Sequence, residues 1–496
     1  MARQILTERV ADLGTFHAVK AAGAKLPLWP QDLAHIYVKL DFLLEFENAT
    51  TLEQATGFLR SVYRASLAAE QIAAQHHGFL LEVQGSTLHV ALQKPNSGTL
   101  MDSVNTFVTD LHWAYRAVFL DQKKRVQGWR MSADTGRTLI VAGCGVHGDN
   151  SLVSLGQSAN RPAKHLYAQL EIENDDDREL KRYHVGIRRP SASPLSRDTW
   201  EHFNLDRSTS RLAHLFKIAE DVRRAEPTFD LIEAVRRGKE VTARALPLAP
   251  AGTPASPTPE DPHTYFGWVM CADLDGFTAE VQECLDQDDR LAELAEKFYC
   301  LMDVATEFVK RHKETLAQLP WAGDNFTAAA VFAEERNYDD AIRKRLVELT
   351  LDFEKDMADA ADECGFGGWA HGVAGGEVRT NSVGNVFLAG VEVGGRRFLV
   401  GVGKGFGRST QAFGDINPAA KELVVYKPDW EQMDDAYKRA FEPAVTRTKG
   451  LSTLYRKASI DGLRKVRARA AAAISSTTIS FPRETPRTIP TRPHYR

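Results

Sequence analysis

The apolar and polar positions spell nearly the same succession of elements twice along the chain. In the first run, His35-Ile36-Tyr37-Val38-Lys39-Leu40-Asp41 reads as a strand. A helical pattern from Leu52 to about His77 follows, then a hairpin-like stretch from Gly78 to Leu92 and a second helical pattern from Met101 to Gln122. Arg137 to Ala142 reads as a strand, and a Gly-rich turn leads to a short segment around Asn160. The second run opens on the apolar, aromatic stretch Tyr265 to Ala272, a buried strand by pattern. A long amphipathic helix is expected from Ala279 to about Lys313, with Thr278 as its N-cap. Trp321 to Phe332 reads as a hairpin turning at Gly323-Asp324-Asn325. Then come a helix from Asp340 to about Asp362 and strands from Trp369.

Local matches support a duplication. Leu139-Ile140-Val141-Ala142-Gly143-Cys144-Gly145 corresponds to Phe398-Leu399-Val400-Gly401-Val402-Gly403, give or take one residue. Asn160-Arg161-Pro162-Ala163-Lys164-His165-Leu166 corresponds to Asn417-Pro418-Ala419-Ala420-Lys421-Glu422-Leu423 as Asn-x-x-Ala-Lys-x-Leu. The expected division is a leader over 1–33, a first unit over 34–192, connecting helices and a Pro/Ala-rich linker over 193–262, a second unit over 263–432, and a helical then basic, disordered tail over 433–496.

Composition changes this picture little. At 496 residues the chain exceeds one ordinary core. With 43% hydrophobic and 26% charged residues it is typical of globular proteins, and a net charge of -4 gives no reason to expect nucleic acid binding. No apolar run approaches a membrane span, and no secretory segment opens the chain. Five scattered cysteines without CxxC spacing argue against zinc and disulfide frameworks, and the expected compartment is the cytoplasm.

The chemistry concentrates in Cys271-Ala272-Asp273-Leu274-Asp275-Gly276-Phe277-Thr278 and Gly323-Asp324. A strand-end Asp beside a hairpin-turn Asp can put two carboxylates on one sheet edge. Hard divalent cations take such oxygen ligands together with substrate phosphates. Taken singly, each Asp reads more readily as a turn former than as a ligand. Together, with Gly276-Phe277-Thr278 attached, they resemble the class III nucleotidyl cyclases. The fold this resemblance implies is α+β: two tandem cyclase domains, ferredoxin-like and palm-type, forming an intramolecular pseudo-heterodimer.

The same resemblance implies one site shared by the two halves. Asp273, Asp324 and the Leu274 carbonyl would hold two Mg²⁺ or Mn²⁺ ions, and the first half would supply Asn160 and Lys164 to the transition state. Lys164 stands where the family carries Arg and cannot make its bidentate contact, so Arg161 is a further candidate. Asn160 reads alternatively as a helix cap and Lys164 as a solvated residue. Arg188 and Arg189 are candidates for the triphosphate. In the first half, Asp41 is taken as the counterpart of Asp273, and Gly85-Ser86 of Gly323-Asp324, so its metal site is expected to be dead. Asn417 and Lys421 could serve a second site.

The implied reaction converts a nucleoside triphosphate to its 3′,5′-cyclic monophosphate and pyrophosphate. The family's purine-reading positions fall at about Leu80 and Val153, neither able to hydrogen-bond a base through its side chain. That resembles the pyrimidine cyclases of the Pycsar antiphage system, with UTP favoured over CTP and a cyclic product acting on a separate effector. Ser154, Ser158, Glu82 and Tyr37 could approach a base. An adenylate or guanylate cyclase and a catalytically inactive nucleotide sensor remain as alternatives. Gly403 to Ser409 lacks the GxxxxGK[ST] spacing of a P-loop.

Overall fold

The computed structural model describes residues 28–42, 52–120, 125–142, 152–168, 183–189, 199–203, 205, 211–225, 266–274, 276–285, 287–312, 317–318, 321, 323–332, 340–364, 369–375, 387–402, 416, 418–431, 433–446 and 450–476. The Pro247 to Pro262 linker, the acidic run at Glu173 to Asp177, Gly403 to Ser409, Asn417 and the last twenty residues lie outside this set.

The architecture is mixed α+β. In the first half, β1 (Leu28–Phe42) is followed by α1 (Leu52–Gln75), the hairpin β2 (Gly78–Gln84) and β3 (Thr87–Gln93), and α2 (Leu100–Val118). Then come the long β4 (Val126–Ala142), β5 (Leu152–Leu155), α3 (Gln157–Ala168), β6 (Tyr183–Arg189), β7 (Thr199–His202) and α4 (Leu212–Arg224). The sheet order is β2-β3-β1-β4-β6-β7, with β5 paired to β4. β1 alternates as its sequence requires: Ile36, Val38, Leu40 and Phe42 enter the core beneath α1 and α2, while His35, Tyr37, Lys39 and Asp41 take the opposite face. The strand already begins at Leu28 and passes through Pro30, inside the expected leader.

In the second half, β8 (Phe266–Leu274) is followed by α5 (Phe277–Cys284), α6 (Asp288–Arg311), β9 (Ala317–Gln318), β10 (Asn325–Phe332) and α7 (Asp340–Cys364). β11 (Trp369–Gly375), the hairpin β12 (Phe387–Val393) and β13 (Arg396–Val402), and β14 (Glu422–Tyr426) come next. The chain closes with α8 (Lys427–Glu431), α9 (Asp435–Lys438), β15 (Glu442–Thr446), β16 (Gly450–Ser459) and α10 (Ile460–Ser476). The expected single helix after Thr278 is therefore two, because the chain becomes extended at Gln287 before an Asp-rich restart.

The second sheet runs β15-β16-β14-β11-β8-β10-β9. β8 lies between antiparallel β10 and β11 as β1 lies between β3 and β4, and β14 pairs parallel to β11 as β6 does to β4. The sequence match at residues 160–166 and 417–423 does not follow this correspondence. Asn160 to Leu166 lie within α3, whereas Pro418 to Lys421 turn into β14, with Lys421 at φ +63. Short polar stretches fit helix and turn alike, so the heptad carries no register.

Each half lends residues to the other's core. Leu139, Val141, Val153 and Leu155, from β4 and β5, pack with the helices of the second half. Val391, Val393, Phe398 and Val400, from β12 and β13, pack in the core of the first. Arg396 seals the latter contact by donating to the carbonyls of Leu80 and Leu81, the second at 3.0 Å.

Candidate active site

On β8, Met270, Ala272 and Leu274 enter the core, which turns Asp273 to the other face. The ladder pairs Asp273 with Asn325, so Asp324 in the preceding turn sits at the same sheet edge. Gly323 has φ +62, a conformation that L side chains rarely adopt. Trp321 and Phe326 pin this turn from both sides: both are buried, and their rings lie 5.3 Å apart. Phe277 anchors the other arm of the site by stacking on Phe298 at 4.8 Å. Gly276, at φ +75, occupies the N-cap of α5, so Thr278 is not the cap.

Burial of its carboxyl group and the charge of Asp273 push Asp324 well above the usual carboxylate range. Two forces act the other way, a hydrogen bond from its own backbone and the charge of Lys164. Lys164 belongs to the first half. Two neighbouring carboxylates form a hard oxygen donor set whose repulsion a divalent cation relieves. The residues thus fit Mg²⁺ or Mn²⁺. Among the described residues no group of three or more His, Cys, Asp or Glu side chains forms a closed metal cage. The Leu274 side chain is buried, so only its main chain can face the site.

α3 brings the first half to this edge. Asn160 donates from Nδ2 to Thr278 Oγ1 at 3.1 Å, a bond between the halves. The structure therefore collects Asp273, Asp324, Asn160, Thr278 and Lys164 in one region. Lys164 is exposed on α3.

Arg188 is a correction. It is only 7% exposed and binds both carboxylate oxygens of buried Asp134, at 3.2 and 3.1 Å. A guanidinium committed there does not reach a triphosphate. Arg161 turns to the same side, bonded to Gln157 and 3.7 Å from Asp134. Arg189 pairs with Thr199 through the backbone, and its side chain lies outside the described set. Lys421 is held on a turn whose carbonyl accepts from Ile460 at 2.8 Å.

The register also corrects the counterpart of Asp273. Lys39 pairs with Thr87, directly after the turn at Gly85, as Asp273 pairs with Asn325 directly after the turn at Gly323. On its other side Lys39 pairs with Arg130, as Asp273 pairs with Ala370. Lys39-Leu40-Asp41 therefore matches Asp273-Leu274-Asp275, and Asp41 lies two residues further along. The first half holds Lys39 and Ser86 where the second holds Asp273 and Asp324, with Lys39 Nζ donating to Ser86 Oγ at 3.0 Å. Asp41 is bound by Arg130 at 2.5 Å. The sequence offered this signal in Gly128-Trp129 and Gly368-Trp369, which fix the same register.

Leu80 and Val153 are buried, Val153 within the core of the second half. Of the polar residues around them, Ser158 lies 2.7 Å from Thr138, and Thr138 lies 2.9 Å from His35. His35 contacts His89 at 2.9 Å, and Tyr37 stacks on His89. Glu82 pairs opposite His89 and is buried. Ser158 and Tyr37 are thus engaged in a buried network running from β3 to α3, which sequence reading missed. Among the described residues the buried Ser154 hydroxyl has no hydrogen-bond partner.

A class III adenylyl cyclase-like ATP-binding protein from Pseudomonas aeruginosa superposes with a TM-score of 0.57 at 14% identity, over 90% of this chain and 91% of that one. The fold is shared with that protein. A bacterial light-regulated adenylyl cyclase aligns over 88% of this chain and 99% of its own, at 9% identity and a TM-score of 0.30. The guanylate cyclase domain of RhGC from Catenaria anguillulae, in complex with GTP, aligns over 39% of this chain and 93% of its own, at 12% identity and a TM-score of 0.28. No protein-family model and no curated protein matches the chain.

Proposed function

We propose that the chain is a metal-dependent nucleotidyl cyclase with a single working site, built by an intramolecular pseudo-heterodimer of two tandem cyclase-like domains. One observation carries this reading: beside the Asp273–Asp324 pair the first half brings Lys164, whose charge acts on Asp324, and Asn160, which bonds to Thr278. Asp273 and Asp324, with the Leu274 carbonyl, would hold the cations. When bound, these supply the Lewis acidity that lowers the pKa of the 3′-hydroxyl and shields the departing pyrophosphate. Asn160, fixed by Thr278, orients the ribose. Lys164 stabilises charge developing on the α-phosphate and offsets the charge of Asp324. Arg161 serves as a reserve cation near the start of α3 rather than a direct contact, because Asp134 and Gln157 hold it.

The substrate in this reading is a pyrimidine nucleoside triphosphate, UTP in preference to CTP, and the cyclic product acts on a separate effector in antiphage defence. Buried Leu80 and Val153 support it, since neither offers a side-chain hydrogen bond to a purine. No helix among the described residues is long and apolar enough to cross a membrane. The test is incubation with Mn²⁺ and each of ATP, GTP, CTP and UTP, with products resolved by chromatography. Cyclic UMP, absent with Asp273→Asn, is expected. Cyclic AMP or GMP would retain the mechanism and overturn the base assignment.

A sensor is the second reading, favoured by lysine at residue 164 and by a neighbour described as ATP-binding and cyclase-like. Nucleotide binding without a cyclic product from any of the four substrates would select it.

A further inference from the structure

The back of the second half carries a pair of thiols outside the proposed site. Cys300 is exposed on α6, and Cys364 is the half-buried last residue of α7. The two helices pack together, and Cys300 is near enough to Cys364 to perturb its thiol. Lys297, one turn before Cys300, also lies within electrostatic reach of Cys364. Val304, one turn after, packs with Cys364 against the same core. Residues 297, 300 and 304 thus form one stripe of α6, and the end of α7 rests on it. Cys271 and Cys284, by contrast, are buried.

We propose that Cys300 and Cys364 form a thiol modification site, at which hydrogen peroxide oxidises the pair to a disulfide that ties the end of α7 to α6. The exposed Cys300 sulfur attacks the peroxide oxygen, the O–O bond breaks, and the departing hydroxide takes a proton to leave as water. Cys300 is then a sulfenic acid. The Cys364 sulfur attacks the Cys300 sulfur, the S–O bond breaks, and the thiol proton leaves with that hydroxide as a second water. Two electrons pass from the two sulfurs to the peroxide. Burial and the neighbouring Cys300 push the Cys364 thiol up to about 11, so it stays protonated and the first attack falls to Cys300. Glu363 adds to that effect and Lys297 opposes it.

The bond would constrain the second half close to its carboxylate edge. α7 ends five positions before β11 starts at Trp369, and Ala370 of β11 lies beside Asp273 in the ladder. A crosslink between residues so far apart in sequence restricts the unfolded chain and raises the unfolding temperature.

The test treats the full chain with hydrogen peroxide, counts thiols, and maps peptides without reduction. Loss of two thiols, a linked peptide containing Cys300 and Cys364, a higher unfolding midpoint and reversal by dithiothreitol are expected. Cys300→Ser and Cys364→Ser should each abolish the linked peptide, while Cys284→Ser should leave it. Overoxidation of Cys300 to sulfinic or sulfonic acid without linkage, or a crosslink only between chains, overturns the proposal. None of these readouts depends on nucleotide chemistry.

Discussion

The two sheet edges, equivalent by strand order and register, have opposite chemistry. In the second half, Asp273 and Asp324 stand together, and burial followed by their repulsion raises Asp324. In the first, Lys39 donates to Ser86 and Arg130 grips Asp41, so the positive charge is built into the chain. A lysine in place of a metal carboxylate keeps a strand edge electrostatically satisfied and removes any need for a cation. α3 of the first half reaches the carboxylate edge of the second. Strand order is common to the two halves while their edge chemistry differs: the order is held by buried strand positions and the chemistry by a few side chains at the edge.

The sharpest way to break this contrast is to swap its charges. Asp273→Asn or Asp324→Asn should reduce cyclic nucleotide formation to background. Lys39→Ala, at the equivalent place, should leave it within about threefold, since it removes no group that is stronger in the transition state. Equal losses from both would contradict a single working site. Next, Lys164→Ala should lower kcat on the order of a hundredfold with little change in KM, as removal of a transition-state cation or donor does. Lys164→Arg should retain activity, because guanidinium supplies the same charge and a second donor.

Asp41→Ala tests the other side. It should leave activity per folded molecule intact and cost about 3 kcal/mol of stability, since it strands the buried Arg130. Denaturant unfolding and product assays on the same sample separate the two effects. A smaller change is expected at the joint between halves: Thr278→Val should lower kcat/KM about fivefold, the usual worth of one hydrogen bond.

Of the fold, what was legible came from local signals. Apolar runs along β1 and β8 placed the strands, and the Gly-Phe-Thr and Gly-Asp turns marked the carboxylates, because turn chemistry is written in adjacent residues. What was not legible depended on partners distant in sequence. The register that makes Lys39, and not Asp41, the counterpart of Asp273 is set by β3 and β4. Arg188 looked like a phosphate ligand until burial against Asp134 committed it. Thr278 looked like a helix cap, yet its hydroxyl accepts from Asn160, more than a hundred residues earlier.

Acid should unsettle the first half through the buried His35–His89 pair. Burial drives His35 down to about 3 and His89 well below its ordinary value. The unfolded chain therefore binds more protons than the folded one between about pH 6.5 and 3, so stability is full above that window and is lost as pH falls through it. Thermal unfolding across the upper part of the window should show a falling midpoint, and His35→Leu/His89→Phe should flatten that slope.

The central claim is that one chain builds one site from both its halves, and mixing two defective chains tests it most directly. Asp324→Asn leaves the first half intact and Lys164→Ala leaves the second. Combined at high concentration with Mn²⁺ and UTP, they should remain as inactive as either alone, because neither chain contains a complete site and the intact halves lie in different molecules. Recovery of a substantial fraction of wild-type activity on mixing would contradict the claim and place the site between chains.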